Sequence, residues 1–100
     1  MKAIKKLPFD PFAPAGRIID IDNTLKALQQ AVGGHIETVT LRSRRDVCVL
    51  CDGEGLIHNL PYNCRVDGID LIGIILAVGV DGDEFTDCPL TLEEWEGMLS

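Results

Sequence analysis

The sequence has no apolar stretch long enough to cross a bilayer. Its longest run without a polar side chain is the ten residues Leu71 to Val80, LIGIILAVGV. As a helix these would cover about 15 Å, against a hydrocarbon core of roughly 30 Å, so a spanning helix is excluded. There is no low-complexity tract. The basic start, MKAIKK, is followed by LPFDPFAPAG, whose three prolines and one aspartate are incompatible with the apolar segment of a signal peptide. The expectation is a cytoplasmic protein whose four cysteines are reduced thiols. The second half of the chain lacks positive charge. Residues 51–100 carry Arg65 alone against eleven carboxylates, while residues 1–50 carry eight Lys/Arg and five Asp/Glu. At a net charge of −7 the protein repels nucleic acid unless a local patch dominates, so direct nucleic-acid binding is not expected.

Chemical motifs are also scarce. Cys48 and Cys51 spell C-x-x-C, but no second pair exists to complete a zinc site. Residues three apart on a strand point to opposite faces, so these thiols should diverge. Buried apolar thiols, with no metal and no cofactor, are the expectation. His35 and His58 have the side chain suited to acid–base work near neutrality. Neither stands in a recognisable catalytic motif with a serine, cysteine or carboxylate, and a non-enzymatic protein is expected.

What the chain does contain is a pattern of short elements. Its 100 residues bound one small domain, 1–100. In Leu71–Val80 five of ten residues are β-branched and two are glycine. That composition predicts a strand buried on both faces at the centre of a sheet, with Ile74 and Leu76 fully buried. Met1–Leu7, Arg17–Ile21, His35–Leu41 and Asp46–Cys51 are further strand candidates, the last two joined by a polar hairpin tip, Arg42-Ser43-Arg44-Arg45. Asp52-Gly53-Glu54-Gly55 and Asp67-Gly68 are turns, and Pro61-Tyr62-Asn63-Cys64 reads as a loop.

A first helix is predicted over 23–32, capped by Asp22 or Asn23. Leu25, Leu28 and Val32 share one face, and Gly33-Gly34 follow as the stop. A second is predicted over 92–99. Thr91 and Glu94 have the capping-box spacing, and Leu90 and Trp95 are placed for a hydrophobic staple. Pro8 to Pro14 repeats proline every third residue, with Phe9 and Phe12 at the same interval. Residues 8–14 therefore read as an arm of polyproline II character. Its rings either cover the core or dock on a neighbouring subunit. The fold class is α+β: a mainly antiparallel sheet around the central strand 71–80, with two packed helices.

The stretches LKALQQAVGGHIETVTL and VCVLCDGEGLIHNLPYN, with the apolar run and its acidic glycine-containing exit, carry a resemblance. They are similar to a family of small uncharacterised domains encoded by phages, plasmids and other mobile elements of bacteria. The family pattern has arginine directly after the loop asparagine, whereas here Cys64 follows Asn63 and Arg65 comes one later. The resemblance implies a setting rather than a chemistry: an accessory protein in the host cytoplasm, directed at host defences.

Within that setting the expected role is binding a small anionic, nucleotide-like ligand at a subunit interface of a homo-oligomer. Arg42, Arg44, Arg45 and Arg65 supply charge, Tyr62 stacking and Asn63 amide recognition, while Gly33 and Gly34 allow close approach of a ligand. The alternative is an interaction module whose acidic half binds a basic host protein, as an inhibitor or a mimic of DNA. A small enzyme is the third reading.

Overall fold

The apolar run does not form one strand. Gly73 has φ 77°, in the left-handed region, and a Cβ built on it would lie 2.8 Å from Leu60 Cδ1. The pleat ends there, because only glycine adopts that conformation at low cost and fits against Leu60. The computed structural model describes all 100 residues. Its elements are β1 (Lys2–Lys6), β2 (Arg17–Asp20), α1 (Leu25–Val32), β3 (Ile36–Thr40), β4 (Val47–Asp52), β5 (Tyr62–Val66), β6 (Ile69–Ile72), β7 (Ile75–Asp81), β8 (Glu84–Thr86) and α2 (Leu92–Met98). The expected central strand 71–80 is thus two strands in two sheets. Ile74, expected to be fully buried, is only half-buried at the break, while Leu76 is fully buried.

The fold is α+β with antiparallel pairing throughout. The main sheet runs β2-β1-β7-β4-β3, and β8 pairs with the end of β7 on the side that β1 occupies at its start. β5 and β6 form a separate hairpin. Side chains alternate across the sheet, as a strand's two-residue period demands. Val47, Val49, Ile75 and Ala77 face a core completed by Trp95 and Leu90 of the α2 region and by Cys64, Val66 and Leu71 of the hairpin. Cys48, Leu50, Leu76 and Val78 face a second core closed by Leu28 and Val32 of α1. Cys48 and Cys51 belong to opposite faces, so the C-x-x-C thiols do diverge. All four cysteines are buried and free, and burial raises each thiol above its ordinary pKa.

The helices differ from expectation at their ends. α1 begins at Leu25 rather than residue 23, because Thr24 accepts the Ala27 amide, displacing Asp22 and Asn23 as cap. The Asn23 side chain instead donates to the Phe85 carbonyl. Leu28 and Val32 are buried, but Leu25, in the first turn, is exposed. α2 has the full capping box between Thr91 and Glu94, and Trp95 is completely buried with Nε1 donating to the Ala15 carbonyl at 2.9 Å. The helix stops at Met98, one residue early, because Leu99 turns extended and bridges Val66.

The proline-rich arm is not an extended polyproline helix. Asp10 folds it into consecutive turns, its Oδ1 accepting from Phe12 N at 3.0 Å and its carbonyl from Ala13 N. Phe9 and Phe12 do not cover the core; each is 88% exposed. Pro61–Cys64 is not a loop either, since Tyr62 opens β5. The segment 56–60 coils in tight turns, with His58 N donating to the Glu54 carbonyl and Leu60 N to that of Gly55. No helix is long and apolar enough to cross a membrane.

Candidate functional site

Two ends of the molecule carry candidate residues. At the β3–β4 tip, Arg44 is engaged by its own neighbours: Nε and Nη2 each donate to the Asp46 carboxylate at 3.0 Å, and Nη1 lies 3.7 Å from Glu94. Its pKa is raised and that of Asp46 lowered, in each case chiefly by this hydrogen bonding. The tip is tied to the β5–β6 turn through Asp67, whose carboxylate accepts from Arg42 N, Ser43 N and Ser43 Oγ at 2.7–3.0 Å. These donors hold the Asp67 pKa low. One chain therefore brings the two loops together without a second subunit.

On the hairpin, Tyr62 Oη donates to Asp70 at 3.0 Å and Arg65 Nε lies 3.5 Å from the same carboxylate. Burial, then the bond to Asp70, raises the Tyr62 pKa. Asn63 points the other way. It is buried, accepts from Lys6 Nζ at 2.7 Å, and donates to the carbonyls of Lys6 and Gly73. Every hydrogen-bonding direction of its amide except one lone pair is used in pinning the hairpin to β1. Asn63 is not available to read a ligand. Of the expected set, Arg42 and Arg45 keep exposed side chains without a carboxylate partner within 4.0 Å, while Arg44 and Arg65 are answered by acids.

The opposite arrangement surrounds Gly33, Gly34 and His58. Gly33 caps α1 with φ 84°. Gly34 accommodates a close approach, but of the protein's own side chain rather than a ligand. A Cβ there would lie 2.7–2.8 Å from the Asp52 carboxylate atoms. Asp52 closes β4 with its side chain only 1% exposed, accepting from Glu54 N and bonded to His58 Nδ1, each at 2.9 Å. The Glu54 amide, then His58, lowers the Asp52 pKa, and the bond to Asp52 raises that of His58. The ring is 45% exposed. Its other nitrogen is left facing outward, 3.8 Å from one oxygen of Glu54; the second oxygen of Glu54 lies 3.9 Å from His35 Nε2. Gly53 N donates to the His35 carbonyl at 2.9 Å, which holds the start of β3 beside the turn after β4.

Two cavities meet at Gly33 and His58. One, of about 720 Å³, is an apolar groove walled by Leu7, Pro8, Phe9, Leu60, Pro61 and Ile74, with Asp52 and His58 at its floor. The other, of about 520 Å³, is a polar shelf of Lys26, Gln29, Gln30, His35 and Glu54. Gly33 and His58 line both. Sequence alone offers His35 and His58 as acid–base candidates but does not connect them to Asp52, Glu54 or the arm. The available signal was the D-G-E-G turn with histidine four residues beyond its glutamate.

A family model described as a domain of unknown function, DUF3846, matches residues 4–100. No curated protein and no solved structure matches the chain.

Proposed function

We propose, for a chain that belongs to the family of this domain of unknown function, that it is a non-enzymatic binding protein carried by a phage or other bacterial mobile element. Its role is to capture a small anionic, nucleotide-like ligand of host defence. The observation that carries this reading is the groove. Its volume lies within the 300–1,000 Å³ typical of small-molecule sites, and it combines apolar walls with a few convergent polar groups and a perturbed histidine. Phe9, held out by the Asp10 turns, is a stacking surface at its rim. On this reading the ligand sits at the histidine end rather than at the arginines.

The test is calorimetric titration with a panel of mono-, di- and cyclic nucleotides, alongside measurement of solution mass. Saturable binding lost in Phe9→Ala and His58→Ala supports the reading; no heat with any of them refutes it. A second reading is favoured by one observation. Asp20 at the end of β2, Asp81 at the end of β7 and Glu84 at the start of β8 are exposed at one end of the main sheet, and Asp22, Asp83 and Asp87 are exposed in the segments that adjoin these strands. Such a face suits a basic host protein.

A further inference from the structure

The Glu54 carboxylate occupies a telling position. Its two oxygens each face a different imidazole, His35 Nε2 at 3.9 Å and His58 Nε2 at 3.8 Å. Both separations exceed hydrogen-bonding distance, so the carboxylate is loosely held. Glu54 is also 44% exposed and able to swing away. The ring it faces most closely is better fixed, because the buried Asp52 holds His58 Nδ1 and thereby directs Nε2 outward. Lys26, Gln29 and Gln30 add a cation and amide donors to the same shelf.

We infer that Glu54 is an internal stand-in for the acidic group of the ligand, and that an anion binds between His35 and His58 by displacing it. The inference rests on the reading of the groove as the ligand site and adds where each part of the ligand goes. The apolar or aromatic body lies between Phe9 and Pro61. The acidic group crosses Gly33 onto the shelf and takes the place of Glu54. A carboxylate left in that place opposes the incoming anion, so its charge lowers the affinity for an anion and leaves that for a neutral molecule of the same shape unaffected.

The experiment titrates AMP and adenosine, a pair that shares the body and differs in the phosphate, into wild type, Glu54→Gln and His58→Ala. The Gln variant keeps the size of the side chain and the backbone carbonyl that accepts from His58 N. The expected result is that Glu54→Gln tightens AMP binding by tenfold or more and leaves adenosine unchanged, while His58→Ala weakens AMP selectively. If AMP and adenosine both bind but Glu54→Gln leaves the AMP affinity unchanged or weaker, the stand-in role is overturned and the groove reading survives. If neither binds the wild type nor Glu54→Gln, the groove reading itself fails, and this inference with it.

Discussion

The arginine end and the histidine end of this molecule teach opposite lessons about charge. At the arginine end the side chains look potent in sequence, yet Arg44 is matched by Asp46 and Glu94 and Arg65 by Asp70, which leaves only Arg42 and Arg45 exposed without a carboxylate partner. At the histidine end a single half-exposed imidazole is backed by a fully buried carboxylate and faces an open groove. A charge already paired by hydrogen bonds has little left to offer a ligand, whereas a ring oriented from behind has only the loosely held Glu54 carboxylate, 3.8 Å away, at its front. What matters is the partner behind the side chain, not the density of charge along the chain.

The contrast breaks first at Asn63. Removing its amide in Asn63→Ala strands the Lys6 ammonium and two carbonyls in a buried setting. A loss of about 2–4 kcal/mol is expected, at 1–3 kcal/mol for each unsatisfied group with partial relief by water. Chemical denaturation measures it, and the fraction that remains folded should keep its ligand affinity. Unchanged stability with lost binding would return Asn63 to the site.

Gly34→Ala comes next. The new methyl group collides with the Asp52 carboxylate, at a cost of about 1–3 kcal/mol. The disturbed carboxylate should also let the His58 pKa fall back toward its ordinary value, which NMR titration of the ring reads directly. Normal stability and an unmoved His58 titration would show that Asp52 has room to spare.

The pair also sets a pH dependence. His58 has its folded pKa raised, so its contribution is complete below the ordinary imidazole value and is lost as pH rises through the raised value. Asp52 has its folded pKa lowered, so its contribution is present above the ordinary carboxylate value and is lost as pH falls through the lowered one. Relative to Asp52→Asn, the wild type should gain most in the mildly acidic window between the two ordinary values. A difference between wild type and variant that stays flat as pH rises from about 4, the ordinary Asp value, to well above about 6.5, the ordinary His value, would deny the coupling.

Smaller effects complete the comparison. Thr91→Ala removes the cap that accepts the Glu94 amide and should cost roughly 1 kcal/mol. Arg44→Ala and Arg65→Ala break exposed pairs of the kind worth about 0–1 kcal/mol, and neither should change ligand affinity. A tenfold loss of binding in either would restore the arginine site.

Much of the fold was legible because it follows from local rules. The alternation in Asp46–Cys51 placed Cys48 and Cys51 on opposite faces, and Thr91-x-x-Glu94 marked the start of α2. The break at Gly73 was not legible. LIGIILAVGV is uniformly apolar, and only the contact with Leu60, thirteen positions earlier, shows why that glycine is left-handed. β8 escaped because its three residues lie in an acidic segment that reads as a turn. Tyr62–Val66 was hidden by the proline before it.

The site was less legible still. The charge count pointed to arginines, and nothing local shows that Glu94, fifty residues from Arg44, comes within 3.7 Å of it. Asp52 and His58 meet only because the turns over 54–60 fold the chain back on itself.

The central claim is that the ligand site lies at His58 and the groove, not at the arginines. The most direct test is an amide NMR titration with AMP. The account predicts shifts concentrated at Phe9, Gly33, Gly34, Gly53 to His58 and Ile74, with residues 42–45 and 64–70 unmoved. Shifts confined to 42–45 and 64–70 would contradict it.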